Sequence, residues 1–313
     1  MNTVPIVFAF DNNWSMPASV CIYSLLANAK DTTIYDIYIL YPKRVPLDKD
    51  YIEKVLKLFP RHKSKYIGIG EDFDKAFQIR GINTLTYYRL LIPELIKEYD
   101  KILYSDVDVI FQNDLTDIYN RTDLNGKYLG VVNSLAHLDN DRKQYYEEEL
   151  KLDSSKIFYA GNIILNSKAI RKDGLKEVFM SMIETKYKFQ DMDILNITCQ
   201  NKVQYLSPSF CVTTYFCELA NNNRKTINSL WSNLEIDNAL YKGIIHYNGQ
   251  KPWKGLCPNF DIWWEYYRKS PVFDQKFYFD FYYSRLNELD QLPLLKRIKI
   301  LVRYFVYGRR KNP

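Results

Sequence analysis

Histidine and cysteine are scarce in this chain of 313 residues, which holds three of the former and five of the latter. The cysteines stand at 21, 199, 211, 217 and 257, an odd number with no Cys-x-x-Cys pair. That pattern argues against a disulfide framework or a zinc-thiolate cluster and fits a reducing compartment. The histidines, His62, His137 and His246, form no His-x-x-x-His pair. Neither Gly-x-Gly-x-x-Gly nor Gly-x-x-x-x-Gly-Lys-Ser/Thr occurs, so both glycine-rich phosphate cradles are missing. The opening segment, MNTVPIVFAFDNNW, has no basic n-region, no long apolar h-region and no small-residue cleavage site, so no signal peptide is expected. No apolar run is long enough to cross a bilayer. Internal repeats and low-complexity linkers are also absent from the sequence.

Apolar residues make up 47% of the chain, enough for a sizeable core and too many for global disorder. The length fits one large α/β domain with an appendage. Tyrosine and phenylalanine are plentiful, 27 and 17, but aromatic rings serve a core as readily as a sugar. Net charge is +6, and its distribution is uneven. From Gln291 onward there are seven basic residues, Lys296, Arg297, Lys299, Arg303, Arg309, Arg310 and Lys311, and no acidic one. Removing these seven from the 43 basic residues leaves 36 against 37 acidic, so the body is nearly neutral. A general nucleic-acid-binding surface is therefore not expected, whereas an anionic partner for the tail is.

The apolar run from Val4 to Phe10 reads as a buried strand ending in the turn Asp11-Asn12-Asn13. Residues 15–29 follow as a helix, with Ser15 as a cap and Pro17 in the first turn. Strands are expected over 34–41, 65–69 and 101–104, and helices over 47–58 and, kinked or divided by Pro93, 85–97. Farther on, 162–165 and 243–247 read as strands, and 168–185, 191–198 and the aromatic stretch 259–290 as helices. Strands alternating with helices point to an α/β fold with a parallel, doubly wound sheet. Ligands bind such sheets beyond the carboxyl ends of the strands. Asp11 and Asp106 each follow an apolar strand and so reach that edge. The one boundary falls near 255–260, giving a catalytic domain over 1–255 and an aromatic and basic helical region over 256–313.

Asp106-Val107-Asp108 is the strongest local signal. In an extended segment side chains two apart project to one side, so both carboxylates can share a hard cation. Such a cation would bridge a nucleotide's diphosphate and stabilise its departure. A turn with two solvated acids is the plainer reading of an isolated Asp-x-Asp. His246 follows another apolar strand and can add a third ligand that suits Mn²⁺ better than Mg²⁺; a hydrogen-bonded core histidine is its alternative. Gly249 permits close backbone approach, and Lys251 can face a phosphate. Asp11, Asn13 and Trp14 can read a base and ribose, or else make a turn and helix cap. Arg89 reads as a guanidinium on the donor or as a surface ion pair.

Six segments, IVFAFDNNW, TYYRLLIP, KILYSDVDVIF, FYAGNIILN, QDMDILN and HYNGQKPWKG, lie in this order between residues 6 and 255. Together they resemble glycosyltransferase family 8, the retaining enzymes that include lipopolysaccharide galactosyl- and glucosyltransferases and glycogenin. The resemblance covers about four-fifths of the chain. It implies a GT-A type nucleotide-sugar-binding fold with a mostly parallel central sheet, a UDP-sugar donor and Mn²⁺. By position it implies that Ala9, Asp11, Asn13 and Trp14 meet uridine and that Arg89 touches the donor. Asp106 and Asp108, flanking Val107 in the donor-binding segment, and His246 would bind the metal. Gly249 and Lys251 would hold the diphosphate, and Asp191 the hexose hydroxyls. Asp191 and Lys251 would act in catalysis.

Two positions depart from the family's pattern. Tyr159 stands where asparagine is usual before Ala160-Gly161, and Met192 where glutamine is usual between Asp191 and Asp193. A thioether cannot supply the glutamine's carbonyl oxygen beneath the anomeric carbon. Asp193 is a candidate nucleophile, with a helix-capping or network role as the plainer reading. The expected reaction is transfer of a hexose, with retention, to a glycan such as a lipopolysaccharide or lipid-linked oligosaccharide. Two other readings are an impaired UDP-sugar-binding protein and an enzyme that glycosylates itself. In the tail, Leu294, Leu295, Ile298, Leu301, Val302 and Phe305 fall on one helical face and Lys296, Lys299 and Arg303 on the other. Such a helix can lie on an anionic bilayer, each cation adding about 1 kcal/mol, or pack on the body. A cytoplasmic protein at the inner face of the cell membrane is the expectation.

Overall fold

A computed structural model of the chain describes residues 2–79 and 84–307, excepting the side chains of 289, 300 and 303–307. Among these residues the strands are β1 (Asn2–Ala9), β2 (Thr33–Pro42), β3 (Lys63–Ile69), β4 (Lys101–Ser105) and β5 (Val109–Ile110), then β6 (Leu129–Val131), β7 (Asn162–Asn166), β8 (Val203–Tyr205), β9 (Val212–Thr213) and β10 (Ile245–His246). Seven form the central sheet in the order β3-β2-β1-β4-β7-β6-β8, and β5-β10-β9 form a smaller one. The central sheet is mostly parallel: β1 runs parallel to β2 and β4, β2 to β3 and β6 to β8. β7 alone breaks the direction, lying antiparallel to β4 and β6.

The continuous apolar runs of the central strands follow from burial on both faces. Successive side chains point to opposite sides of a sheet. Accordingly Val4, Ile6 and Phe8 of β1 join one apolar core with Ile37, Ile39 and Leu103. Val7 and Ala9 join a second core with Tyr38, Leu40, Ile102 and Tyr104. Met192 packs against both cores and against a third cluster around Tyr145 and Tyr146.

Several expected elements take a different form. Ser15 is the first residue of the helix Ser15–Ala27 rather than its cap, and Asp11 instead caps the short 3-10 turn Asn12–Trp14 by accepting from Asn13 N at 3.0 Å. The helix expected over 85–97 is a 3-10 segment, Thr84–Leu91, followed by the short helix Ile92–Leu95. Pro93 sits in the first turn of the latter, where its missing N–H costs nothing. The helix expected over 168–185 breaks into Ser167–Lys172 and Leu175–Met182 at Gly174, whose φ of 63° a helix cannot hold. The short strands β5, β6, β8 and β9 have no counterpart among the expected ones.

Beyond residue 255 the chain continues as helices Phe260–Lys269, Gln275–Asp290 and Leu294–Tyr307. Trp263, Trp264, Tyr267 and Phe281 are buried in the same core as β1. The last helix differs: Leu294, Leu295, Ile298, Leu301 and Val302 are all exposed, from 46% to 80%. Lys296 and Lys299 are exposed as well. The side chains of Arg303 and Phe305, and Arg309, Arg310 and Lys311 altogether, lie outside the described residues. Among the described residues no helix is long and apolar enough to cross a membrane.

Candidate active site

Parallel pairing of β1 with β4, through Ile6 with Leu103 and Val7 with Tyr104, brings the carboxyl ends of both strands to one sheet edge. A cavity of about 710 Å³ opens there, within the size of ordinary ligand sites. It is lined by Ala9, Trp14, Arg89, Tyr104, Asp106, Val107, Asp108, Arg142, Tyr159, Gly161, Asp191, Met192, Tyr215, His246 and Lys251. Asp11, Asn13 and Gly249 do not line it. Gly249 follows Asn248, which does, and a Cβ at Gly249 would meet only Thr214 Oγ1 at 3.7 Å.

The acidic pair sits in a bend between β4 and β5, not in the extended run expected from its spacing. The smaller sheet supplies the third partner. His246 of β10 pairs with Val109 of β5, and Tyr247 N donates to Asp108 O at 2.9 Å. These bonds set His246 Nε2 at 3.3 Å from Asp108 Oδ1 and 3.5 Å from Asp106 Oδ2. One ligand atom from each of Asp106, Asp108 and His246 lies within 4.8 Å of the other two. Two carboxylate oxygens and one imidazole nitrogen are a fitting donor set for a divalent cation of the Mn²⁺ or Mg²⁺ kind.

Charge is balanced tightly around this cluster. Lys251 Nζ lies 2.5 Å from Asp108 Oδ2 and also donates to Tyr247 O. Burial pushes the Asp108 carboxyl up, but His246 and Lys251 outweigh it and hold the group well below the usual carboxylate range. Burial likewise lowers His246, yet Asp108 outweighs it and lifts the imidazole to about 10. Lys251 Nζ also stands 5.8 Å from the Trp14 ring centre, and Trp14 packs edge-on against Trp253.

Arg89 is buried, not a surface residue, and ties the cluster to Asp191. Its Nη2 donates to Asp106 Oδ1 at 3.0 Å, its Nη1 to Ala160 O and its Nε to Thr86 O at 2.8 Å. Asp191 Oδ2 is 2.9 Å from the same Nε. The single Nε hydrogen is given to Thr86, so this last contact is electrostatic and leaves Oδ2 without a hydrogen bond. Burial raises the Asp191 carboxyl to about 6, with Arg89 opposing. Asp191 opens the helix Asp191–Cys199, and Gln190 before it takes φ 51° and ψ −121° to turn the chain into it. Such a conformation costs about 1–3 kcal/mol outside glycine and tends to occur at working sites.

Met192 and Tyr159 both line the cavity. Tyr159 is buried, and Thr213 Oγ1 donates to its hydroxyl at 3.2 Å. Asp193 is fully buried away from the cavity lining, accepting from Tyr145 Oη at 2.7 Å, Tyr146 Oη at 3.0 Å and Phe189 N at 2.8 Å. That environment fits a network member, not a nucleophile.

Sequence reasoning passed over several residues that shape the site. Tyr104 Oη donates to Asp106 Oδ1 at 2.8 Å. Gly161 O accepts from Asp106 N at 2.7 Å. Cys211 Sγ lies 3.6 Å from His246 Nδ1, the nitrogen turned away from the acids. Arg142 and Tyr215 also line the cavity. Of these Tyr104 and Gly161 carried a signal, their places in KILYSDVDVIF and FYAGNIILN.

The chain matches the model of glycosyl transferase family 8 over residues 5–257. A Haemophilus influenzae protein whose name places it only among the glycosyltransferases is 26% identical over 216 residues, 67% of this chain and 64% of that protein. An Arabidopsis thaliana protein named as a galacturonosyltransferase is 28% identical over 185 residues, 55% of this chain. The chain spans only 33% of that second relative's length. Among solved structures, an active-site variant of LgtC superposes with a TM-score of 0.71 at 24% identity, covering 87% of this chain and 98% of the other. That likeness shows the fold, which is of the GT-A type with a helical C-terminal region. With a family model covering most of its length, this chain belongs to glycosyl transferase family 8.

Proposed function

We propose that the protein moves a hexose from a UDP-sugar to a glycan acceptor with retention at the anomeric carbon. The observation that carries this reading is the convergence of Asp106, Asp108, His246 and Lys251 in the lining of one cavity at the sheet edge. Asp106, Asp108 and His246 Nε2 would hold Mn²⁺, with Mg²⁺ as the alternative. A bound divalent cation supplies Lewis-acid stabilisation of the charge that develops on the departing diphosphate. Lys251 adds a second positive charge there. Ala9 and Trp14 offer the surface for the uridine, with Asp11 and Asn13 beside them and Gly249 near the phosphates. Arg89 holds Asp106 and Asp191 in place, and Asp191 takes the hexose hydroxyls. The anomeric C–O bond to UDP breaks, the acceptor oxygen bonds on the same face, and a phosphate oxygen of the leaving UDP takes the acceptor's proton.

LgtC has been solved with donor and acceptor sugar analogues, which supports a two-sugar cavity in this fold. The acceptor we favour is a lipopolysaccharide or other lipid-linked oligosaccharide. The exposed apolar and basic helix Leu294–Tyr307 would then bring a cytoplasmic enzyme to the inner face of the membrane. Residues 1–255 would carry the chemistry and 256–313 the attachment. A screen of UDP-galactose and UDP-glucose with Mn²⁺, following UDP release and the intact mass of the protein, tests the reading. UDP release without a mass increase supports it. A mass increase means self-glycosylation, and tight UDP binding without turnover means a binding protein.

A further inference from the structure

The cations lining the cavity are Arg89, Arg142, His246 and Lys251. Three are matched by acids: Arg89 by Asp106 and Asp191, His246 by Asp106 and Asp108, and Lys251 by Asp108. Arg142 is the exception among the described residues and has no ion pair. Asp139, on the same wall, is engaged with the backbone, accepting from Arg142 N at 3.0 Å as the cap of the helix Asn140–Gln144.

Arg142 is nevertheless not a loose surface side chain. Its Nη2 donates to Ser134 Oγ at 2.8 Å and to Ser134 O at 3.2 Å. Its guanidinium carbon lies 5.9 Å from the Tyr159 ring centre and 5.8 Å from that of Tyr215. Ser134 is fully buried, Tyr159 is buried and Arg142 is half-buried. Fixing a guanidinium beside two rings in a partly dry wall leaves a positive charge that only neutral groups contact. With Nη2 committed to Ser134, the planar fork keeps donors for a two-oxygen anion. Arg142 and Tyr215 come from helices that carry none of Asp106, Asp108, His246 or Lys251.

Resting on the transferase reading above, we infer that Arg142 selects an acidic sugar: the cavity takes a carboxylate or phosphate substituent against its guanidinium. The anion comes from one of two sources, the sugar being transferred or the sugar that receives it. Tyr159 and Tyr215 bound the position and limit it to a group reaching between them.

Two kinetic arms separate the sources. The first compares UDP-galacturonate with UDP-galactose as donor. The second holds the donor fixed and compares galacturonic acid and galactose 6-phosphate with galactose as acceptor. The wild type should favour the acidic member in one arm, and Arg142→Gln should reduce that preference roughly 10–100-fold, the range of a charge-assisted hydrogen bond. Arg142→Lys should keep part of it. No acidic preference in either arm would overturn the assignment. So would an Arg142→Gln variant that loses acidic and neutral substrates equally, or that weakens binding of UDP itself. Thermal melts of both variants separate misfolding from lost recognition. If the wild type releases no UDP from any sugar nucleotide, the transferase reading fails by itself, and saturation-transfer NMR decides on Arg142. Galacturonate signals that exceed those of galactose and vanish in Arg142→Gln uphold the anion site; equal or absent signals reject it.

Discussion

Gly161 leaves the space that His246 fills: a Cβ built on Gly161 would stand 2.2 Å from His246 Cε1 and 2.9 Å from Asp106 Oδ2. His246 cannot retreat easily, because β10 is bonded on both sides, to β5 and to β9. The antiparallel turn of β7 beside β4 therefore serves the site by laying a bare backbone against the acid-histidine cluster. Gly161→Ala should cost about 1–3 kcal/mol of stability through overpacking. It should also weaken Mn²⁺ binding at least roughly tenfold, since the two displaced groups are proposed ligands. Calorimetric titration with Mn²⁺ measures this, and an unchanged isotherm would separate Gly161 from the metal site.

Arg89 is the only cation within ion-pair reach of Asp191 among the described residues, and both side chains are buried. Removing one member of such a pair strands the other. Arg89→Gln should lower unfolding stability by about 3–5 kcal/mol. Adding Asp191→Asn should restore at least about 1 kcal/mol, because the stranded charge goes with it. Urea denaturation of the two singles and the double closes the cycle. Strictly additive losses would contradict the coupling.

Met192 lines the cavity while packing against all three apolar clusters. Met192→Gln introduces a carbonyl oxygen where a thioether offers little to a developing positive charge. UDP release from UDP-galactose or UDP-glucose should change by roughly tenfold, or the preference between them should shift by as much. Kinetics identical to wild type with both donors would mark the position as idle in catalysis.

The terminal helix should be separable from the body. Ending the chain after residue 290 keeps Trp263, Trp264 and Phe281 in the core and removes the exposed leucines of Leu294–Tyr307. The truncated protein should melt as the intact one does and still release UDP. It should lose binding to phosphatidylglycerol vesicles, and binding of the intact protein should weaken with salt. Equal sedimentation of both forms would remove the tail from the membrane contact, whereas unfolding would show it to be a packed helix.

Much of this was legible in the sequence because long apolar strands announce themselves. β1 and β4 could be read from their runs, and with them the edge to which Asp106 is delivered. His246 could be nominated as a ligand, yet its partner strands β5 and β9 have two residues each, too short for any periodicity. The geometry of Asp106-Val107-Asp108 was misread for the same reason: the chain bends there to enter β5 instead of running on. Arg89 read as a surface residue or a donor contact because burial of a charge depends on partners distant in sequence. Arg142 stood in a polar stretch, Asp139 to Lys143, which carries no sequence mark of the cavity it lines.

Asp106 and Asp108 are proposed to hold a divalent cation against the donor's diphosphate. UDP release from a UDP-hexose, titrated with Mn²⁺ in the wild type and in Asp106→Asn and Asp108→Asn, tests it most directly. Release should require the metal and be lost in both variants, because an amide cannot replace the missing negative charge. Normal Mn²⁺-dependent release by both variants would contradict it.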